Sequence, residues 1–517
     1  MRLLLIAPLF SAVSYGAQAT NSSISICPPA TKPANASDAI PATFPGYAFE
    51  ESSFVYYAGN KTNPNRVSQN LIRAVSQKTK TRPVIRVGGT SLDRATYDPN
   101  LSDPIYNPDP NSGIPTHLKI GPSFFDLFAN FPEAKYVIDI PMYHDNLSNS
   151  ILFAEAANKR IGASNIYAWE IGNEPDNYGN TGADWNEKQF SEKWGNWSKA
   201  ISKALNASLD SQTYQAVALS SQTGVTGTPG GDADSWKIGE IFKQGGMEQY
   251  KERMKTVSMH YYQIKANETS DLQADLMNHD EVIKGTAFIK TALQNLATIG
   301  VDVPIVLGEV GNTLGNGSSG VNLEGVLGSA LWQVDLSLYT MFLGVHGISM
   351  QSGTKFPFAL WHPQYNNTAG AVLPAFYAQI FAAEFIGSHG NVTVANIDLG
   401  QPHLSAYAAY EGANLARLAI INLELWDGRH ESQEKRHSKQ MLLHVPAGTD
   451  SVTVKRLTSP AGGMARNSNQ ITWGGMQWTY ENEGRGENVS TGAERLSVKD
   501  GTVHIAVNAS EAAMVFF

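Results

Sequence analysis

Two glutamates follow apolar segments, each at a point where a predicted strand ends. Glu174 stands in "YAWEIGNEPD" (167–176) and Glu309 stands in "VLGEVGNT" (306–313). Pro175 ends the first of these strands directly after the glutamate. A carboxylate at such a place is either a strand-end or loop residue without a chemical role, or a reacting group. Two carboxylates, one protonated and one ionised, are the minimal apparatus for cleaving a glycosidic bond.

The elements that must position these glutamates are eight short apolar segments that alternate with amphipathic helical patterns over residues 45–387. A strand-then-helix alternation repeated eight times predicts an α/β fold of the (β/α)8 barrel type. The segments are YAFE (47–50), PVIRVG (83–88), KYVIDI (135–140), IYAWEIG (166–172), YQAVAL (214–219), TVSMHY (256–261), VPIVLGE (303–309) and VHGISM (345–350).

In such a barrel, catalytic groups gather at the carboxyl ends of the strands. Strands four and seven lie across the mouth from each other, so Glu174 and Glu309 can approach although 309 − 174 = 135 residues separate them. Tyr261 and Tyr262 follow strand six, where a hydroxyl can hydrogen-bond to Glu309 and hold it ionised. If the glutamates act with retention of configuration, their carboxyl groups should lie about 5 to 5.5 Å apart.

The pattern changes after residue 387, where short alternating segments separated by turn residues replace the helices. This pattern predicts an antiparallel β-sandwich over 388–517. We expect residues 20–44 to pack on this sandwich, because the barrel begins only near residue 45. The chain has one cysteine, Cys27, so an intrachain disulfide is excluded.

The first nineteen residues read as a secretory signal. Arg2 is followed by a short apolar run and by Ala17-Gln18-Ala19, a small-residue cleavage site. About a dozen Asn-x-Ser/Thr sequons fit a secreted glycoprotein; examples are Asn21, Asn60, Asn146, Asn196, Asn206 and Asn267. A net charge of −9 argues against nucleic acid and anionic membranes as partners. We expect an extracellular monomer without a membrane segment.

The segments "RVGGTSLD", "WEIGNEPD", "SMHYY" and "GEVGN", followed by a C-terminal β-domain, resemble glycoside hydrolase family 79. That family includes β-glucuronidases and heparanase. The resemblance covers nearly the whole mature chain and is most specific at the two glutamate segments. It implies that Glu174 is the acid/base, that Glu309 is the nucleophile and that Asn173 binds the 2-hydroxyl of the sugar. It also implies that Tyr261, in preference to Tyr262, orients the nucleophile.

The resemblance further implies that Thr90 lines the sugar site and that the turn after strand eight binds the uronate carboxylate. That turn reads "MQSGTKFPF" (350–358). Gly353 matches the family pattern, but the expected tyrosine is absent. Lys355, or the backbone amides around Gly353 and Thr354, are the candidates for its role.

The leading hypothesis is therefore a secreted retaining exo-β-glucuronidase that releases terminal glucuronic acid or its 4-O-methyl form, for instance from arabinogalactan-type glycans. Two alternatives stay open: a heparanase-like endo-β-glucuronidase, and a carbohydrate-binding barrel without activity. The acidic balance and the sparse Lys and Arg near the motifs argue against the endo enzyme. We expect no cofactor and no metal, since HExxH is absent and His144-Asp145 alone is too little for a site.

Overall fold

The computed structural model describes residues 23–110, 112, 114–178, 185–220, 236–314, 323–429 and 435–517. The predicted secretory signal at 1–19 and the sequon at Asn21 lie outside the described residues.

Eight parallel strands close into a barrel, so the predicted fold class is confirmed. Neighbouring strands pair in chain order, and the eighth strand pairs with the first. All eight predicted segments supply a strand. The strands are Pro45–Glu50, Val84–Gly88, Lys135–Ile140, Ile166–Ile171, Tyr214–Leu219, Met254–Lys265, Ile305–Leu314 and Ile348–Ser352.

Helices with apolar faces surround the barrel. The α-helices are Glu51–Ala58, Arg66–Thr79, Thr90–Asp93, Leu147–Ile161, Glu187–Ala204, Ile238–Lys243, His279–Gly285, Ala287–Thr298, Leu327–Leu343 and Pro374–Ile386. Shorter 3₁₀ segments are Pro122–Asn130, Ala163–Asn165, Pro175–Asn177, Met247–Arg253 and Ser468–Gln470, and Leu272–Leu276 forms a π-turn. None of the described helices is long and apolar enough to cross a membrane.

Two details differ from the sequence pattern. The apolar residues over 281–297 recur at helical spacing, but the structure has two helices there, one ending at Gly285 and the next beginning at Ala287. A Cβ at Gly285 would lie 2.6 Å from the Tyr261 hydroxyl, so this position requires glycine, which favours a helix only weakly. The segment 98–122 is rich in Pro, Asn and Asp, a composition typical of loops, yet it contributes to a small three-stranded sheet of Ala95–Tyr97, Ile105–Tyr106 and Leu118–Ile120.

A β-sandwich follows the barrel. One sheet has nine strands: Val392–Ile397, Leu404–Glu411, Asn414–Asn422, Ser451–Thr458, Thr472–Trp473, Met476–Trp478, Gly486–Asn488, Glu494–Ser497 and Glu511–Phe516. The other sheet contains Ser438–His444 and Thr502–Asn508, and Ile24–Ile26 near the N-terminus adds a parallel strand to it. The domain limits at 45 and 387 stay predictions.

An aromatic contact surface joins the barrel to the sandwich. The rings of Phe381 and Trp473 lie 4.7 Å apart, and those of Phe376 and Trp478 lie 5.9 Å apart. Arg417 of the sandwich donates a hydrogen bond of 2.8 Å to the carbonyl of Phe385, at the end of the last helix of the barrel. Apolar burial of this extent makes the sandwich a fixed support for the barrel.

A buried polar cluster also crosses this interface. Asp335, on the helix Leu327–Leu343, is fully buried and accepts a hydrogen bond of 2.6 Å from the hydroxyl of Tyr407 on the sandwich. Nδ1 of His279 lies 2.9 Å from the other oxygen of Asp335. Burial alone would lower the pKa of His279, but the Asp335 carboxylate, with smaller contributions from Asp280 and Asp398, raises it above 6.5.

We predict that this cluster makes stability depend on pH. A histidine whose pKa is raised on folding contributes stability that is complete below its unfolded pKa of 6.5 and is lost as pH rises through the folded value. Thermal melting between pH 5 and pH 8 should therefore show His279→Gln losing less stability with rising pH than the unaltered protein. Asp335→Asn should lower the free energy of unfolding by about 3 kcal/mol at acidic pH, because it leaves the charged imidazole without its partner.

His444→Gln is the matched control, since His444 is an exposed histidine of the sandwich. It should keep the pH dependence of the unaltered protein. If stability falls equally with rising pH in His279→Gln and His444→Gln, the prediction is wrong.

Candidate active site

The structure brings Glu174 and Glu309 together at the carboxyl end of the barrel, with His260 between them. One carboxylate oxygen of each glutamate and one ring nitrogen of His260 all lie within 4.8 Å of one another. Glu309 is 7% exposed, whereas about a fifth of the Glu174 side chain reaches the surface. The two carboxylates therefore lie close enough to act on one bond of a substrate.

A single guanidinium organises the layer below these carboxylates. Arg86, on strand two, is 1% exposed. It donates to Glu170 on strand four at 2.6 Å and to Glu309 on strand seven at 3.0 Å. Its Nη2 donates to Asn173 at 2.9 Å and more weakly to Asp139, on strand three, at 3.4 Å. A buried charge persists only when it is paired and hydrogen-bonded in this way, so the contacts fix four strand ends relative to one another.

Glu309 has a second strong contact, and it comes from Tyr262. The Tyr262 hydroxyl donates to Oε1 of Glu309 at 2.6 Å, while Arg86 occupies Oε2. Both contacts complement an ionised carboxylate. Gly311 leaves room for this arrangement, because a Cβ there would lie 2.5 Å from the Tyr262 ring.

The preference for Tyr261 over Tyr262 is wrong. The Tyr261 hydroxyl donates to Gln263, and its ring stacks on Phe288 of the surrounding helices at 6.2 Å. Opposite the step from Met259 to His260, strand seven carries one extra residue, Gly308, so the side chains of strand six keep their regular alternation. Since alternate residues of a strand face opposite sides, His260 and Tyr262 point to the barrel mouth and Tyr261 points away.

Glu174 lies in a different environment from Glu309. Burial raises its pKa above the ordinary value of 4.5, although Arg86 and a hydrogen bond from Asn177 act in the opposite direction. Its Oε1 is 2.9 Å from Nδ1 of His260. Burial lowers the pKa of His260 to about 4, so the imidazole is neutral near neutral pH. A neutral neighbour lets Glu174 keep a proton, as a general acid must.

Asn173 is 1% exposed, and both polar atoms of its side-chain amide have partners. Its Oδ1 accepts from Arg86, and its Nδ2 lies 3.5 Å from the Asp93 carboxylate. The Tyr178 hydroxyl links the same carboxylate to the Asn173 backbone amide. The role of Asn173 in binding a sugar hydroxyl stays a prediction. Thr90 is half-buried at the end of strand two.

The turn after strand eight lies against the first helix of the barrel. Gly353 has no room for a side chain, since a Cβ would lie 2.8 Å from the ring of Phe356. Its carbonyl accepts a hydrogen bond from Tyr57. The Thr354 amide already donates to the hydroxyl of Ser53 at 3.2 Å, which weakens its case as a carboxylate donor. Lys355 is exposed.

Several polar residues of the site were missed by the sequence prediction. Each is a polar residue inside an apolar barrel strand or at its end. Because a buried polar group needs a hydrogen-bond partner, a polar residue in such a strand could have indicated a site in the sequence. They are Glu50, Arg86, Asp139, Glu170, Gln215 and His260. Gln215, on strand five, extends the layer by donating to Glu170 at 2.6 Å.

Glu174, His260 and Glu309 are also side chains of the kinds that bind transition metals. However, Arg86 already supplies Glu309 with a positive partner at 3.0 Å, and its charge would repel a divalent ion at the same place. The donor set therefore fits a metal poorly, and the expectation of a metal-free site stays a prediction.

The barrel, with its pair of facing glutamates, defines the chain as a glycoside hydrolase. The family model "Glycosyl hydrolase family 79 C-terminal beta domain" matches residues 406–514, within the sandwich. The resemblance to glycoside hydrolase family 79 is confirmed, and the chain is related to β-glucuronidases.

The sequence similarity to two relatives extends over most of the chain. A β-glucuronidase of Aspergillus niger is 28% identical over 96% of this chain and 94% of the relative. One from Neurospora crassa is 29% identical over 91% of this chain and 93% of the relative. The fold is similar to that of a 4-O-α-L-rhamnosyl-β-D-glucuronidase from Fusarium oxysporum 12S, solved in complex with Rha-GlcA. That structure has a TM-score of 0.80 and 23% identity, and the match covers 95% of this chain and all of the other.

The two adjacent tyrosines give a matched pair of variants. We predict that Tyr262→Phe lowers kcat about 10- to 100-fold, because a hydrogen bond to a charged group contributes about 1.5 to 3 kcal/mol. Tyr261→Phe should leave kcat nearly unchanged, since its hydroxyl faces away from Glu309. Steady-state kinetics on an aryl β-glucuronide measures both, with melting curves to check folding. A larger loss for Tyr261→Phe would show that the contact with Glu309 is not the functional one.

Proposed function

We propose that the protein is a secreted retaining exo-β-glucuronidase that releases terminal β-linked glucuronic acid, or 4-O-methylglucuronic acid, from glycans. The observation that carries the proposal is that one carboxylate oxygen of Glu174 lies within 4.8 Å of one carboxylate oxygen of Glu309. Retaining enzymes place their two carboxyl groups about 5 to 5.5 Å apart, whereas inverting enzymes leave about 6.5 to 9.5 Å for a water molecule.

The different environments of the two glutamates assign their roles. Glu309, held by Arg86 and Tyr262, attacks the anomeric carbon as the bond to the leaving oxygen breaks. Glu174 donates its proton to that oxygen, so the aglycone departs as an alcohol. Glu174 then takes a proton from water, which attacks the same carbon and displaces Glu309. Two inversions give overall retention.

The relatives support a uronic acid as the sugar that is cleaved. Two of them carry the name β-glucuronidase, and the Fusarium protein was solved with a disaccharide that contains GlcA. Because that uronic acid carries rhamnose, groups larger than methyl at the 4-position belong among the substrates to test. The net charge of −9 disfavours an endo enzyme that binds long anionic chains.

Secretion is supported by the N-terminal sequence and by the position of the sequons. The five example asparagines that the structure describes, Asn60, Asn146, Asn196, Asn206 and Asn267, are all exposed. An exposed asparagine is accessible to the glycosylation machinery. We propose a glycosylated extracellular monomer, which size-exclusion chromatography before and after enzymatic deglycosylation would test.

The central test is an assay on a panel of aryl glycosides: β-glucuronide, β-xyloside, β-galactoside and α-arabinofuranoside. We predict that only the β-glucuronide of this panel is turned over and that EDTA does not change the rate. NMR spectra recorded during the reaction should show the β-anomer of the free sugar appearing first. Glu309→Gln should abolish turnover, and Glu174→Ala should lower it about 10²- to 10⁴-fold on substrates with basic leaving groups.

Glu192→Gln, at an exposed glutamate of an outer helix, is the matched control and should keep full activity. Initial release of the α-anomer would overturn the nucleophile assignment. Cleavage inside long chains without release of the monosaccharide would favour the endo alternative. Sugar binding with no turnover on any substrate would favour the non-catalytic barrel.

We also predict that Lys355 contacts the uronate carboxylate. A charge-assisted hydrogen bond is worth about 1.5 to 3 kcal/mol, or about ten- to a hundredfold in binding. Lys355→Ala should therefore lower kcat/KM for the β-glucuronide and leave any activity on the β-glucoside unchanged. Lys188→Ala, at an exposed lysine of an outer helix, is the control. Equal losses on both substrates, or none, would remove Lys355 from the site.

A further inference from the structure

A carboxylate two residues after Glu174 ties the turn that carries Glu174 to the neighbouring strand. Oδ1 of Asp176 accepts a hydrogen bond of 3.0 Å from the Ser220 backbone amide, and Oδ2 accepts one of 2.5 Å from the Ser220 hydroxyl. Ser220 follows strand five directly. Both oxygens of one carboxylate therefore bind one residue of another strand end, 44 residues away in sequence.

This tie lies beside a backbone conformation that must be held in place. Glu174 has φ 46° and ψ 56°, in the left-handed region that residues other than glycine adopt at a cost of about 1 to 3 kcal/mol. Its amide donates to the carbonyl of Ala218 at 3.0 Å, and Ala218 has a positive φ of 48°. Both partners of this hydrogen bond, Glu174 in the turn and Ala218 near the end of strand five, therefore have a left-handed backbone conformation.

Other contacts restrain the turn less directly. The Trp185 indole donates to the Pro175 carbonyl at 2.8 Å, and the Asn177 amide donates to the Glu174 carbonyl at 2.9 Å. Among the side-chain contacts described for this turn, that of Asp176 is bidentate. The Asp176 contact joins the turn to the end of strand five, where the Ala218 carbonyl accepts the hydrogen bond from the Glu174 amide.

We propose that Asp176 is a positioning residue that, through Ser220, fixes the direction of the Glu174 carboxyl group toward the leaving oxygen. This inference rests on the proposed function, in which Glu174 is the acid/base. Proton transfer needs a donor within hydrogen-bond reach of the leaving oxygen, and a small misplacement lowers the rate steeply. Nucleophilic attack by Glu309 does not depend on the Asp176 tie, because Arg86 and Tyr262 hold Glu309 from other strands.

The test compares two β-glucuronides. A 2,4-dinitrophenol leaving group departs without a proton, whereas an alkyl alcohol needs one. Asp176→Ala should lower kcat/KM for the alkyl β-glucuronide about 10- to 100-fold. It should change kcat/KM for the dinitrophenyl substrate little, and that rate also shows that the variant is folded and binds sugar. Ser220→Ala, which keeps the backbone donor, should show the same selectivity with a smaller loss.

Asp126→Asn is the matched control, since Asp126 is a half-buried carboxylate of the segment Pro122–Asn130 and is paired with Arg160. It should leave both substrates unaffected. Equal losses on both substrates for Asp176→Ala, or no loss, would overturn the positioning role. Glu174→Ala, measured in parallel, separates the two proposals. If it lacks the dependence on leaving group, the acid/base assignment fails. If it shows the dependence and Asp176→Ala does not, only the inference about Asp176 fails.

Discussion

The pairing of one buried guanidinium with several carboxylates is the interaction on which the site depends. Arg86 reaches Glu170, Glu309 and Asn173 within 3.0 Å from the centre of the barrel. Removing one member of a buried ion pair costs about 3 to 5 kcal/mol, because the remaining charge has no water to replace its partner. The same contacts place Glu309 before any substrate arrives, so its orientation is a property of the folded barrel.

Different surroundings give the two central glutamates different properties. Glu309 has the guanidinium and a tyrosine hydroxyl, while Glu174 has a neutral imidazole and a raised pKa. Burial raises the pKa of Glu50 and of Asp93 to about 8. Two carboxyl groups in such different surroundings as those of Glu174 and Glu309 suit a reaction that needs one acid and one base side by side.

Much of the architecture was predictable, because local patterns carry it. Each barrel strand is a short apolar run, and each helix has an apolar stripe, so periodicity alone indicates both. The exceptions have local causes. Gly285 stands where Tyr261 leaves no room for a side chain, and the helix breaks there. The small sheet that includes Ala95–Tyr97 is built from two- and three-residue strands, which are too short for a periodic pattern.

The sequence by itself determined the eight strands, the change to a sandwich, and the two glutamates at the ends of strands four and seven, because strand order dictates which ends meet. Only the tertiary structure decided which tyrosine reaches Glu309, since the alternation along strand six does not say which of its two faces lines the barrel mouth. It also decided the partners of Arg86 and Asp176. Those contacts join residues 44 to 223 positions apart, and pairing across such separations follows from barrel closure and burial, which no local pattern encodes.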